Sequence, residues 1–361
     1  MRLAIICPYP QGTAPGQRFR YEQYLAYWTQ NGVQCDIFPF LDEPTNNILY
    51  IPNSYFAKIT GVLNSLARRV LLLPYMMHYD AVLIYREACL VGYPWFEWIL
   101  AHLFRKKIIL DFDDAIWIPQ TVSGSSLIAR LRNHQKTEKL CRWASRVSCG
   151  NQFLCQYASQ FNRDVRLIPT TIDTQNLHNK QKIHTNPPPN PNKKIIIGWT
   201  GSLTTMPYLQ TVYKVIEQLS KKYPIQLNVI SNKAPNIDLS FLQYMPWQKT
   251  TEIDDLLQFD IGIMPMTNGE WEQGKCGFKA LQYMALAIPA VVSPVGVNAE
   301  IVQDGINGYY ATTPEQWYNA LEKLILSAEL RTQMGKAGRQ TIEQHYSVES
   351  QKKYYLDLIL F

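Results

Sequence analysis

No stretch of this 361-residue chain comes near the roughly 18 consecutive apolar residues of a membrane-spanning helix. The opening "MRLAIICPYP" holds an apolar run of five residues broken by proline, so neither a signal peptide nor a span is expected there. Cysteine pairs at CxxC spacing are missing as well. The seven thiols (Cys7, Cys35, Cys89, Cys141, Cys149, Cys155 and Cys276) are odd in number and scattered, and five sit in apolar strand-like or helix-like surroundings. That favours reduced core thiols in a cytosolic protein over a disulfide framework. None of the six histidines (His78, His102, His134, His178, His184, His345) stands at ligand spacing from another His or Cys, so a zinc site is not expected. Charge is sparse too: charged residues make up 18% and the formal excess is +6. An excess this diffuse suits an anionic ligand or an acidic membrane surface, and it excludes a nucleic-acid footprint.

What is present is an apolar content of 47%, the balance of a soluble globular enzyme, in a chain long enough for about two domains of ~150 residues. The segment "HNKQKIHTNPPPNPNKK" carries four prolines, four asparagines and a single large apolar residue, Ile183. It cannot build a core and reads as a linker over 178–193. On each side, apolar strands alternate with helix-length amphipathic stretches. Before the linker come "RLAIICPYP", "VQCDIFPF", "DAVLIYRE", "KKIILDFDD", "RVSCGN" and "VRLIPTTID", with helices expected over 55–77, 93–104 and 127–144. After it come "KKIIIGWTGS", "IQLNVIS", "DIGIMPM" and "AVVSPV", with a helix expected over Lys275–Ala287. This alternation predicts an α/β chain of two doubly wound parallel sheets: an N-terminal domain over 1–177, a C-terminal domain over 194–340 and a last helix over 341–361. Ligands of such sheets bind at the carboxyl ends of the strands, and with two domains the cleft between them is the expected site.

Lys275 and Lys279 stand four residues apart at the front of an apolar helix, just after Gly274. At that spacing both are expected on one side of the first turn and a half. Cations are disfavoured at a helix N-terminus, so an anion such as a diphosphate would compensate both. The alternative is two solvated ammoniums whose stems cover apolar surface.

The stretch "GKCGFKALQYMALAIPAVVSPVGVNAEIVQDGINGYY" resembles the nucleotide-sugar site of the retaining family-4 glycosyltransferases of GT-B fold. The family pattern there is a helix ending Leu-Glu-Ala-Met-Ala-x-Gly-x-Pro-Val-Val, then Gly-Gly-x-x-Glu and an Asn-Gly-hydrophobic step. "IPTTID" before the linker and "LLQFDIGIMP" before the motif fall in the family's order, so the resemblance spans essentially the whole chain. It implies two Rossmann-like domains facing across a cleft, and a last helix that crosses back toward the first domain; a plain C-terminal packing helix is the alternative.

The departures are specific. The family's paired glutamates, separated by seven residues, fall at Gly274 and Gln282. Gln282 can still hydrogen-bond ribose hydroxyls, without the charge; glycine cannot replace the sugar contact, for which Glu270 or Glu272 is the stand-in. The family's phosphate-binding arginine and lysine fall within "TGSLTTMP" at 200–207, which has no basic residue. The resemblance then places the diphosphate's cations at Lys275 and Lys279, with Gly201, Ser202 and Thr204 as donors opposite. Glu300 matches the glutamate after the family's glycine pair, or is a plain helix-start carboxylate.

In the first domain the family implies that the loop holding Gly12 and Gly16, followed by Arg18 and Arg20, faces the donor phosphates; these arginines could equally be surface residues. "LDFDDAIWIP" puts Asp113 where the family has a histidine and Asp114 where it has an aspartate, with a structural network to Arg86 or Arg18 as the alternative. Arg86 and Glu87 end another strand on the acceptor side. No metal or other cofactor is implied, and the partners expected are a nucleoside-diphosphate sugar and a carbohydrate or lipid-linked acceptor.

The function expected is that of a retaining transferase moving a sugar to an acceptor hydroxyl in glycan, polysaccharide or glycolipid assembly, cytoplasmic or at the cytoplasmic membrane face. A same-fold sugar-nucleotide epimerase and a degenerate, non-catalytic subunit are the rivals. The stretch 53–80, with Arg68 and Arg69 and with Arg105-Lys106-Lys107 beyond it, reads either as a helix dipping into an anionic bilayer interface or as a core helix with a solvated end.

Overall fold

Runs such as "RLAIIC", "AVLIY" and "KIILDF" are apolar at successive positions, the pattern of a parallel strand covered on both faces. They form β1 (Arg2–Cys7), β3 (Ala81–Tyr85) and β4 (Lys107–Phe112), buried at every position except Arg2 and Lys107. The computed structural model describes residues 1–49, 51, 53–119, 133–185 and 194–361. The first part of the helix expected over 127–144 lies outside the described residues, as does 186–193 of the expected linker. The later part of that helix spans Lys136–Trp143.

With β2 (Gln34–Pro39), β5 (Arg146–Cys149) and β6 (Val165–Leu167), these strands make a six-stranded sheet of order β2-β1-β3-β4-β5-β6. Every pairing in it is parallel. The second sheet contains β7 (Ile195–Gly201), β8 (Ile225–Ser231), β9 (Leu242–Pro246), β10 (Ile261–Met264), β11 (Ala290–Val292) and β12 (Gly308–Tyr310). Its order, β12-β11-β10-β7-β8-β9, is that of the dinucleotide-binding doubly wound fold, again all parallel. Both sheets reverse direction of growth at one point, between β1 and β3 in the first and between β7 and β10 in the second. The carboxyl ends of those strands are where such sheets hold ligands.

The chain divides into two compact units, Met1–Thr170 with Gln351–Phe361, and Thr171–Ser350. Residues 178–185, expected to be linker, are bound into the second unit. Lys182 N donates to Leu286 O at 2.7 Å, and the buried Arg339 donates to His178 O at 2.6 Å and Thr174 O at 3.0 Å. An arginine that collects carbonyls from an irregular segment overrides that segment's polar composition.

A deeply buried ionic knot lies in the first unit. Arg20, fully enclosed, pairs with Asp111 at the end of β4 and donates to Ser148 Oγ at 3.1 Å and to Ile168 O. Tyr355, from the helix Val348–Ile359, donates its hydroxyl to the same Asp111 at 3.0 Å, and its ring meets those of Tyr24 and Trp28 edge-on. Burial works against the guanidinium's charge, but Asp111 beside it holds Arg20 well above its ordinary pKa. Removing one partner of such a pair strands the other charge, which costs about 3–5 kcal/mol. Asp111→Ala should lower the unfolding free energy measured in urea by that amount, and Arg20→Met with Asp111→Leu should lower it by clearly less.

Candidate functional site

In the first unit the switch point is crowded with the residues singled out from sequence. Tyr85 ends β3, and its hydroxyl donates to Asp113 Oδ1 at 2.7 Å. Arg86 follows with φ +61°, a left-handed backbone rare for a side chain of this size, while its N–H donates to Asp111 O at 2.7 Å. That turn aims its guanidinium at both aspartates: Nε and Nη2 reach Asp113 Oδ1 at 2.8 and 2.6 Å, and Nη2 also pairs with Asp114. Burial opposes the cation, yet Asp113 and Asp114 hold Arg86 well above its ordinary value, and burial with Asp113 raises Tyr85. Gly16, in the helical turn Pro15–Arg18, lies directly on this cluster. A Cβ there would stand 2.1 Å from Tyr85 Oη and 2.9 Å from Asp113 Oδ2, so only glycine lets the loop approach.

Three expectations for this unit need correction. Glu87 does not face the acceptor side: it is buried and paired with Lys136, a partner distant in sequence. Gly12 has φ +76° as expected of a tight turn, but its N–H is taken by Glu22, at 2.9 Å to Oε2, so this amide is not held open for phosphate. Arg20 is the core residue described above rather than a phosphate ligand; Arg18 lies over the ring of Phe19 at 5.1 Å, a contact that leaves its expected role as it was.

In the second unit the expected helix Lys275–Ala287 is shorter, spanning Phe278–Ala285. Gly274 closes a separate turn of helix, Glu270–Gln273, and Gly277 at φ +66° sets the new start, so Lys275 lies in the connection between them. The two lysines therefore do not share a helix face. Each rests on a different indole: Lys275 Nζ is 4.4 Å from the ring centre of Trp271, and Lys279 Nζ is 5.6 Å from that of Trp199 on β7. Tyr283 on the same helix accepts from Thr200 N at 3.0 Å, which locks the helix to the carboxyl end of β7. Gly201 follows, and a Cβ there would lie 2.4 Å from the Trp199 ring. The exposed Ser202 and Thr204 join hydroxyls at 2.7 Å, and Ser202 N donates to Thr205 Oγ1 at 3.1 Å. Lys279, Gly201, Ser202 and Thr204 are thus gathered around one strand end.

Glu272 is almost wholly buried, accepting from Tyr208 Oη and from Thr267 Oγ1 at 3.1 Å. It therefore braces the loop after β10 against the helix after β7. Gln282 is buried and donates to Glu252 at 3.4 Å; Trp247 Nε1 donates to the same carboxylate at 3.3 Å. Glu300 is exposed in the first turn of Asn298–Ile301. Sequence reasoning missed Tyr208, Trp199, Trp271 and Glu252. Aromatic residues bracketing a polar loop on both sides ("GWTGSLTTMPY", "NGEWEQGK") were the available signal.

Residues 180–341 match the family model described as glycosyl transferases group 1. No curated protein is a sequence match to this chain. Among solved structures, sucrose-phosphate synthase from Thermosynechococcus elongatus is similar at 14% identity, covering 99% of this chain and 98% of its own, with TM-score 0.72. Anabaena HepE, solved in complex with UDP and glucose, has 14% identity, coverage of 99% and 98%, and TM-score 0.65. A glycosyltransferase from Rickettsia africae has 12% identity, coverage of 99% and 97%, and TM-score 0.65. With two all-parallel six-stranded sheets and full-length likeness to these proteins, the chain has the two-domain, Rossmann-like GT-B fold.

The Arg86 cluster is the test of the first unit's site. Arg86→Ala leaves two near-buried carboxylates facing each other and should lower stability by about 3 kcal/mol or more in urea unfolding. Neutralising both aspartates in the same variant (Asp113→Asn, Asp114→Asn) should recover part of that loss.

Proposed function

We propose that this protein is a retaining glycosyltransferase that moves a sugar from a nucleoside-diphosphate sugar to an acceptor hydroxyl. The observation that carries the reading is the coincidence of two things in the second unit. Residues 180–341 match the group 1 model, and within them a cation, exposed hydroxyls and a glycine meet at the switch-point end of β7. A polyanion set there meets Lys279 and, one loop away, Lys275. These supply the charge stabilisation that the leaving diphosphate needs as the glycosidic bond breaks, with no metal called upon.

Each ammonium rests on an indole, which fixes its position. The Gln282–Glu252 pair stands in for the carboxylate expected at the ribose, with the glutamine amide held by the glutamate behind it. Glu272, held by Tyr208 and Thr267, fixes the loop that borders the sugar. In the first unit Asp113, pinned by Tyr85 and Arg86, positions the acceptor hydroxyl, and the departing phosphate takes its proton in a front-face attack. Binding of UDP by HepE makes UDP-sugars the first donors to try. The acceptor is a carbohydrate or a lipid-linked saccharide of glycan, polysaccharide or glycolipid assembly, met at the cytoplasmic face of a membrane.

The test is a panel of UDP-, GDP-, ADP- and TDP-sugars, read by thermal stabilisation and donor hydrolysis. One nucleotide should raise the melting temperature. Lys279→Ala should weaken that donor at least about tenfold, the scale of one lost charge-assisted contact, with Lys275→Ala weaker in effect. Binding that ignores both substitutions, or no binding by any member of the panel, overturns the reading.

A further inference from the structure

The helix Tyr55–Leu72 is built inside out. Its two buried residues are polar: Ser65, and Arg69, which donates to Ala88 O at 2.9 Å, Phe38 O at 3.0 Å and Cys7 O at 3.2 Å. Those carbonyls lie on or just past the ends of β1, β2 and β3, so the helix is fastened to the first unit by hydrogen bonds. At helical spacing on the opposite side stand Phe56, Ile59, Leu63, Val70 and Leu71, with Ala67 among them. Phe56 is 82% exposed and Leu71 70%. The following turn, Pro74–His78, continues the face with the exposed Tyr75 and Met77. Single exposed apolar residues need no explanation, but a whole helix face of them does.

The charges within this segment are of one sign. From Asn53 to Tyr79 the chain has no Asp or Glu. Lys106 donates to Met77 O at 3.0 Å and Tyr79 O at 2.7 Å, which sets the run Arg105-Lys106-Lys107 against the end of the apolar face. Arg105 and Lys107 are exposed there, beside an exposed Leu103. Of the neighbouring acids, Asp42 pairs with Arg68, Asp36 accepts from Tyr79 Oη at 2.9 Å and pairs with Arg2, and Asp80 accepts from the backbone Arg2 N at 2.6 Å. Among the described residues no helix is long and apolar enough to cross a membrane, so a face of this kind can lie on a bilayer but not through it.

We propose that the outward face of Tyr55–Leu72 and Pro74–His78 docks on an anionic lipid bilayer. The apolar side chains enter the acyl boundary, and Arg105 and Lys107 meet the phosphate headgroups at its margin. This deepens the lipid-linked acceptor reading and rests on it only for the nature of the acceptor. Membrane contact is scored with no sugar nucleotide present, so the failure of either reading is seen separately.

The experiment is cosedimentation of the full chain with vesicles of equal parts phosphatidylglycerol and phosphatidylcholine, and with phosphatidylcholine alone. The wild type should pellet with the anionic vesicles, less as salt rises, and Phe56→Asp with Leu63→Asp and Leu71→Asp should bind at least about tenfold more weakly with an unchanged melting temperature. Should that variant fail to fold, Arg105→Gln with Lys107→Gln decides, and a loss of several-fold is expected. The proposal falls if the wild type ignores anionic vesicles, or if the decisive variant binds as the wild type does. It falls equally if the wild type is a dimer that the aspartates dissociate while vesicles stay unbound, since the face would then cover a second copy of the chain.

Discussion

The Arg20–Asp111 pair is the constraint around which the first unit is arranged. A guanidinium enclosed this completely cannot shed its proton, so the structure has to bring it a carboxylate and enough acceptors for its remaining N–H groups. Asp111 at the end of β4, Ser148 on β5 and the carbonyl of Ile168 beyond β6 answer that demand from three successive strands. Tyr355 answers from the far end of the sequence. The knot sits four residues past Gly16 and two before Asp113. The loop after β1 and the aspartates after β4 are therefore both tethered within a few residues of one immobile charge.

The same local chemistry recurs at the two switch points. In each, a tyrosine hydroxyl donates to a carboxylate, Tyr85 to Asp113 and Tyr208 to Glu272, and a cation rests on an aromatic ring, Arg86 on Tyr85 and Lys279 on Trp199. Aromatic rings hold charged groups in place near strand ends, and at Arg86 the ion pairs to Asp113 and Asp114 add to the ring contact. The polar loops are thus built from rigid parts, although loops in general are the mobile portion of such folds.

The strands were legible because they are fully buried apolar runs of five or six residues with turn residues after them. Alternation with helices gave the fold class. The network of Arg86 with Asp113 and Asp114 was legible as one of the alternatives for those aspartates, whereas the place of Gly16 on it was not, since that loop was assigned to the donor phosphates. What escaped was decided by contacts distant in sequence or by one backbone angle. The start at Phe278 rather than Lys275 turns on the left-handed Gly277, which helical periodicity does not register. Glu87 was lost to Lys136, and the Gly12 amide to Glu22. For the Tyr55–Leu72 helix the sequence left two readings, an interfacial helix and a core helix with a solvated end. The exposed apolar stripe and the inward Arg69, bonded to strand-end carbonyls, go against the second.

The left-handed backbone at Arg86 carries a cost of about 1–3 kcal/mol that glycine or asparagine would largely avoid. The strain is kept because it turns one side chain toward two carboxylates. Selection for heat resistance alone, applied to a library at this position, would be drawn to two opposite solutions. One keeps arginine and its ion pairs; the other relaxes the turn and removes the aspartates. Only the first preserves a charged strand end, so thermostability gained at residue 86 can come at the expense of the charged cluster itself.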